Sequence, residues 1–175
     1  MIVGFFGLSG VGKTHLIKRL VSNTDEFIQI SASKLIKSEG GVIQFENLNR
    51  RVLLDNQNKL VSSIQKLKSE KKNYLIEMHT ILETKNYIFT VPDIILNQLR
   101  DVLDLAFFLQ ASPQFIRHNR LMDSKTRAIK TDLELAEAQE LSLFLFKKSF
   151  PECQFLVIDH SFDMHQLQLS ISNLR

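Results

Sequence analysis

Short apolar runs alternate along the chain with longer segments in which apolar residues recur every three or four positions. The short runs, rich in β-branched and aromatic residues, predict buried strands. The longer segments predict amphipathic helices. Because predicted strands and helices take turns along the chain, the pattern is typical of a parallel sheet with helices on both faces.

The boundaries of the predicted elements follow from this pattern. The predicted strands cover residues 2–6, 26–31, 73–78, 105–109 and 154–159. The predicted helices cover residues 13–21, 32–37, 48–67, 93–100, 131–148 and 163–173, and a further helix begins at Pro113. Residues 79–92 are predicted to be irregular. We therefore expect a single α/β domain over residues 1–175, with a five-stranded parallel sheet flanked by helices.

The segment GLSGVGKT at residues 7–14 lies between the first predicted strand and the first predicted helix. Its spacing is that of a phosphate-binding P-loop, in which glycines let backbone N–H groups surround a phosphate. In such a loop Lys13 reaches the terminal phosphates and Thr14 binds Mg²⁺. The other residues expected around the phosphates are Gly7, Ser9, Gly10, Val11 and Gly12. The motif therefore predicts a three-layer P-loop fold that holds a nucleotide with Mg²⁺.

The positions of the six glycines exclude two classes of P-loop protein, since none lies beyond Gly41. A switch GTPase needs an Asp-x-x-Gly motif after its loop, and the residues three positions before Gly40 and Gly41 are Lys37 and Ser38. A transporter-type ATPase needs paired glycines far downstream. What remains is a compact enzyme that acts on a small acceptor.

Composition indicates which partners and which cellular compartment to expect. The net charge of +3 comes from scattered Lys and Arg residues, so no nucleic-acid partner is expected. The single cysteine, Cys153, cannot form an internal disulfide, which favours a reducing compartment. The longest apolar runs fall short of the roughly 20 residues that cross a bilayer. We expect a soluble, unprocessed, cytoplasmic protein, and the oligomeric state stays open.

Three further segments carry a resemblance to a known family. YLIEMHT at 74–80 resembles a strand ending in Asp-Thr-His, and NYIFTVPDIILNQL at 86–99 resembles a Gly-Tyr-Leu-Pro-Gly-Leu-Pro stretch. FFLQASPQFIRHNRLMDSKTR at 107–127 resembles a strand, a helix and an arginine-bearing lid. With the P-loop, these segments resemble the nucleoside monophosphate kinases, most of all the short archaeal-type adenylate kinases. The resemblance covers nearly the whole chain and implies an acceptor-binding insert around residues 31–72 and a lid around residues 120–132.

The resemblance also implies a reaction and several residue roles. The reaction is ATP-dependent phosphoryl transfer to a small nucleotide acceptor, a nucleoside monophosphate, with AMP or dAMP as the first candidate. Arg50 or Arg51 would contact the phosphate of the acceptor, and Arg120 and Arg127 would close over the transferring phosphoryl group. His160, in the DHS segment after the last predicted strand, would lie beside the adenine of ATP.

Departures from the family pattern concern the acceptor more than the fold. In the lid segment RAIKTD at 127–132, the second arginine of the family is replaced by Lys130 at a shifted spacing, or by nothing. The strand that ends in Asp in the family ends in Glu77 here. His79, two residues further on, is a candidate for contacting the acceptor.

Glu77 leaves two chemical roles open. It ends a predicted strand at the edge where parallel sheets bind ligands, so it could hold Mg²⁺ through water together with Thr14. It could equally act as a general base on an acceptor hydroxyl, which a nucleoside monophosphate does not need. The first alternative function is therefore a kinase of a small alcohol or nucleoside. The second is a regulatory ATP-binding protein or slow ATPase.

Overall fold

The computed structural model describes residues 1–22, 26–44, 48–84, 87–123, 130–151, 167 and 171. In chain order they form β1 (Ile2–Phe6), α1 (Lys13–Val21), β2 (Phe27–Ser31), α2 (Ala32–Ser38), α3 (Arg50–Lys68), β3 (Asn73–Glu77), β4 (Ile81–Glu83), β5 (Ile88–Thr90), α4 (Asp93–Val102), β6 (Leu105–Phe108), α5 (Pro113–Met122) and α6 (Asp132–Ser149). Every predicted strand and helix within the described ranges is present, with ends that differ by a few residues.

The main sheet has the strand order β2-β3-β1-β6, and all of its pairs are parallel. This confirms the predicted α/β P-loop fold with a parallel sheet flanked by helices. The predicted fifth strand at 154–159 lies outside the described residues. The predicted helix at 163–173 is described only at Leu167 and Ile171, which are both helical and buried.

The two faces of the sheet are covered by separate hydrophobic clusters, because side chains along a strand point to opposite faces in turn. Ile2 and Phe6 of β1 pack with side chains of α2, α3, α4 and the end of α6. Val3 and Phe5 pack with side chains of α1, α5 and the start of α6. The result is the predicted order of layers: helices, sheet, helices. None of the described helices combines the length and the apolar character of a membrane span.

Aromatic rings fill the first of these clusters. The ring of Phe146 lies with its centroid 5.2 Å from that of Phe6, 5.3 Å from that of Phe108 and 4.9 Å from that of Phe150. All four side chains are buried. These phenylalanines therefore belong to the core, and α6 is anchored to the sheet through them.

The prediction that residues 79–92 are irregular is wrong for part of this segment. Strands β4 and β5 form an antiparallel hairpin in which Ile81 pairs with Thr90 and Glu83 with Ile88. At the turn, Thr84 N–H donates to Tyr87 O over 2.9 Å. A strand of three residues is too short for an alternating pattern to be recognised in sequence, which is why the hairpin was missed.

Candidate phosphate-binding site

The backbone of the P-loop requires glycine at three positions. Gly7, Gly10 and Gly12 have φ angles of 136°, 92° and 104°, a region that other residues rarely adopt. A Cβ at Gly7 would also lie 2.6 Å from the backbone oxygen of Leu109. The connection from β1 therefore turns beside the end of β6 in a conformation that only glycine allows without strain.

The loop leads into the N-terminus of α1. Gly12 is the N-cap of this helix and has no side chain to satisfy the first N–H groups, and no acidic residue stands in the first turn. The positive end of the helix and its N–H donors therefore suit an anion such as a phosphate. Lys13, only 5% exposed, donates from Nζ to Gly7 O and to Leu8 O over 2.8 Å each. Its ammonium group is thereby held against the loop.

Thr14 and Glu77 meet although 63 positions separate them in the sequence. Glu77 pairs in register with Phe5 of β1, just before the loop begins, and Thr14 Oγ1 donates to Glu77 Oε2 over 2.6 Å. Gln29 of β2 donates from Nε2 to the other carboxylate oxygen over 2.9 Å. The β2–β3 register sets Gln29 beside Leu75, so its side chain lies on the sheet face that also carries Glu77.

The oxygen pair of Thr14 and Glu77 fits Mg²⁺. This ion binds through one or two protein oxygens and completes its shell with phosphate oxygens and water. Within the described ranges no three His, Cys, Asp or Glu side chains converge on a metal position.

His79 is attached to the P-loop itself. Its Nδ1 lies 2.9 Å from Gly7 O, the carbonyl that also accepts from Lys13. A carbonyl oxygen only accepts hydrogen bonds, so Nδ1 carries the proton and donates. The structure thus joins His79 to the phosphate loop, and its contact with the acceptor stays a prediction.

Arg120 belongs to the last turn of α5, and its side chain extends over the P-loop. The N-cap of this helix is Ser112, ahead of Pro113. Its Nε donates to Ser9 O over 2.9 Å. Its Nη1 and Nη2 donate to the two carboxylate oxygens of Glu83 over 3.2 Å and 2.5 Å. The neighbouring Asn119 donates from Nδ2 to Gly10 O over 2.8 Å. The end of α5 is therefore fastened to the middle of the loop.

The structure brings together most of the site residues predicted from the sequence. The loop residues 7–14, Glu77, His79 and Arg120 form one connected set of contacts. Arg50 and Arg51 are not part of this set: both are exposed on the first turn of α3, and neither makes an ion pair with another described residue. Arg127 and His160 lie outside the described residues.

Three residues of this site were missed by the sequence analysis: Gln29, Glu83 and Asn119. Gln29 stands among apolar neighbours in a predicted strand, and Asn119 precedes an arginine that had been singled out. These two positions offered a weak signal. Glu83 offered none, because its partner Arg120 is 37 residues away and its strand was not recognised.

Comparison with known proteins identifies the family. The sequence profile of the AAA domain family matches residues 6–136, a range that contains the P-loop, Glu77 and Arg120. The chain belongs to the AAA domain family. No curated protein matches this AAA domain protein at the level of sequence.

Solved structures similar to this AAA domain protein include several kinases named for small molecules. Shikimate kinase from Bacteroides thetaiotaomicron superposes with a TM-score of 0.63 at 15% identity, over 99% of this chain and 97% of the other. Deoxyadenosine kinase from M. mycoides gives 0.55 at 14% identity, over 99% and 97%. A gluconokinase from Sinorhizobium meliloti gives 0.53 at 14% identity, over 99% and 90%. At such identities the likeness establishes the fold: that of the P-loop kinases.

Proposed function

We propose that this protein transfers a phosphoryl group from ATP to a nucleoside monophosphate. The observation that carries the proposal is the contact of 2.6 Å between the Thr14 hydroxyl and the Glu77 carboxylate, next to the P-loop lysine. A hydroxyl at the start of the loop helix and a carboxylate at the end of the neighbouring strand are the protein oxygens that a Mg²⁺–nucleotide complex needs in P-loop enzymes. The cytoplasmic location expected from the composition would supply ATP.

The residues of the site have distinct tasks in this reaction. The loop amides and Lys13 bind the phosphates of ATP, and Thr14 with Glu77 would hold Mg²⁺, which neutralises charge on the phosphate oxygens when it is bound. Arg120, and Arg127 from the lid segment, cover the transferring group and stabilise the charge that spreads over its oxygens. Catalysis then comes from alignment of the reactants and from charge stabilisation.

The contacts of the carboxylates favour a nucleoside monophosphate as the acceptor. Both oxygens of Glu77 accept hydrogen bonds, from Thr14 and Gln29. Both oxygens of Glu83 accept from Arg120. A nucleoside monophosphate offers an oxygen that is already ionised and needs no general base, unlike an alcohol. Arg50 or Arg51 would grip the phosphate of the acceptor, with AMP or dAMP as the first candidate.

A second candidate is a kinase of a small alcohol or nucleoside, in which Glu77 acts as the base. The names of the similar structures favour it, since shikimate, deoxyadenosine and gluconate are phosphorylated on hydroxyl groups. Glu77 would then have to exchange its hydrogen bond from Thr14 for one from the acceptor.

The test measures ADP formation from ATP and Mg²⁺ with a panel of nucleoside monophosphates, nucleosides and sugars. We expect stimulation by a monophosphate. Stimulation only by a nucleoside or another alcohol would support the second candidate. No stimulation by any acceptor would refute both and would leave a regulatory ATP-binding protein or slow ATPase.

The variant Glu77→Gln separates the two roles of this carboxylate. If Glu77 holds Mg²⁺, we expect the Mg²⁺-dependent part of ATP affinity to fall roughly 10-fold to 100-fold. If Glu77 is a base, transfer to a hydroxyl is lost while ATP affinity is retained. The matched control is Glu39→Gln, since Glu39 pairs with Lys66 in an ion pair on another part of the surface. It should behave like the wild type in both assays.

A further inference from the structure

We propose that Glu83 is a positioning residue that holds the guanidinium of Arg120 against the P-loop, oriented toward the terminal phosphate of ATP. The inference rests on the proposed function, because that function assigns Arg120 to the transferring phosphoryl group. It adds a role for the β4–β5 hairpin, which carries Glu83.

The hydrogen bonds of Arg120 determine the orientation of its planar group. A guanidinium has five N–H groups in a fixed plane. Three of them are used by Ser9 O and by the two oxygens of Glu83. The bond to Ser9 alone would let the plane tilt about that contact, whereas the two parallel bonds to the carboxylate fix it. Among the described residues no partner takes the other two N–H groups, which are thus left for a phosphate.

Packing fixes the stem of the Arg120 side chain at the same place. A Cβ built on Gly10 would lie 2.9 Å from Cγ of Arg120 and 3.1 Å from the backbone oxygen of Ile116. With Asn119 bonded to Gly10 O, the end of α5 has little freedom relative to the loop. This packing does not fix the orientation of the guanidinium group at the end of the Arg120 side chain. The carboxylate of Glu83 fixes that orientation.

Strand pairing and hydrogen bonds within the hairpin hold the segment that carries Glu83. Glu83 ends β4 and pairs with Ile88 of β5. The next residue, Thr84, is buried, donates from Oγ1 to Tyr87 O over 2.8 Å and accepts from Tyr87 N–H over 3.1 Å. The side chains of Arg120 and Glu83 are only 8% and 12% exposed, so water competes weakly for their ion pair.

The pairing leaves the site electropositive. Lys130 Nζ lies 3.9 Å from Glu83 Oε1, and its side chain is 16% exposed. Two cations therefore share one carboxylate, and the cluster keeps a net positive charge. Glu83 orients Arg120 without cancelling its attraction for a phosphate.

The experiment compares the affinity for a non-hydrolysable ATP analogue with that for ADP, by isothermal titration calorimetry with Mg²⁺. The proteins are the wild type, Glu83→Gln, Arg120→Met, the double variant and the control Glu39→Gln. We expect the wild type and the control to prefer the analogue. Glu83→Gln should lose roughly 10-fold to 100-fold of this preference, the contribution of hydrogen bonds to a charged group. In the Arg120→Met background, Glu83→Gln should change nothing further, because Glu83 acts through Arg120.

Two results would overturn the inference. One is a loss from Glu83→Gln that persists in full when Arg120 is already replaced. The other is an equal loss of affinity for ADP and for the analogue, which a merely structural role would produce. If Glu83→Gln does not fold, Glu83→Asp replaces it: the charge is kept, the carboxylate is withdrawn by one methylene, and an intermediate loss is expected. Because no acceptor is needed, failure of the acceptor panel and failure of this inference are separate outcomes.

Discussion

Replacing single glycines by alanine separates two effects of an added Cβ, backbone strain and steric contact. Gly7, Gly10, Gly12 and Gly40 all have positive φ angles. Gly40 lies outside the loop, and a Cβ there would meet nothing within 4 Å, so Gly40→Ala reports the strain alone. At Gly12 the nearest atom would be a ring carbon of Phe115 at 3.9 Å, which is ordinary contact.

The expected losses follow from these distances. Placing an L-residue in the left-handed region costs about 1 to 2 kcal/mol, so Gly40→Ala and Gly12→Ala should each lose that amount of the free energy of unfolding. At Gly7 the Cβ would also meet a backbone oxygen at 2.6 Å. That oxygen belongs to Leu109, whose own N–H is bonded to Phe6 O, so it cannot easily withdraw. Overpacking of this kind adds about 1 to 3 kcal/mol, for a total of about 2 to 5 kcal/mol.

Gly10→Ala should affect function as well as stability. The nearest atoms to its Cβ are Cγ in the stem of the Arg120 side chain, at 2.9 Å, and the backbone oxygen of Ile116, at 3.1 Å. We expect a loss of stability between that of Gly12→Ala and that of Gly7→Ala. The displaced arginine should in addition lower the affinity for the ATP analogue relative to ADP, which Gly12→Ala should change less.

Thermal and urea unfolding of the four variants measure these differences. For a domain of this size each kcal/mol corresponds to about 2 to 4 °C in Tm, so Gly40→Ala should melt about 2 to 8 °C below the wild type. The order expected is Gly7→Ala lowest, Gly10→Ala next, and Gly12→Ala and Gly40→Ala highest and close together. If Gly7→Ala were no less stable than Gly40→Ala, the close approach of the loop to the end of β6 would be wrong. A Gly40→Ala variant as stable as the wild type would refute the reasoning from φ.

Two further predictions concern the core and the pH dependence of stability. Phe146→Ala should lower the free energy of unfolding in urea by about 3 to 5 kcal/mol, because the ring is fully buried. The matched control is Phe144→Ala, whose side chain is 63% exposed and which should cost less than about 0.5 kcal/mol. Equal losses would contradict the assigned face of α6. Burial, together with the hydrogen bond to Glu70, raises the pKa of Tyr74 from 10.0 to about 12. The contribution of the neutral Tyr74 side chain to the free energy of unfolding is therefore complete below about pH 10 and is lost as the pH rises through 12. Tyr74→Phe should flatten the fall in unfolding free energy over that window, and a fall as steep as that of the wild type would refute the assignment.

Most of the fold could be predicted from the sequence because its elements are long enough to show their periodicity. The helix at 50–68 repeats apolar positions over five turns, and β1 is an unbroken apolar run. The hairpin at 81–90 could not be predicted, since each strand has only three residues. Its stability comes from contacts with the rest of the chain: Ile81 and Phe89 are buried in the two separate core clusters.

The residues of the site also include some that the sequence predicts and some contacts that it does not. Glu77 was predicted as a site residue because all strands of a parallel sheet end at the same edge, so a strand-end residue must lie near the P-loop. The sequence could not tell which side chains its carboxylate contacts. In the structure its two oxygens accept hydrogen bonds from Thr14 and Gln29. The first contact depends on the register between β1 and β3, and the second on that between β2 and β3.

The sequence by itself determined the phosphate loop, since its glycines, lysine and threonine act within eight consecutive residues, and their spacing sets the backbone path. Only the tertiary structure decided which carboxylate accompanies Arg120. Glu83 reaches it across 37 positions because a short hairpin folds back beside the end of α5. A site formed by consecutive residues can be predicted from their spacing alone. A pairing between distant residues depends on how two elements pack, and no local sequence pattern predicts that packing.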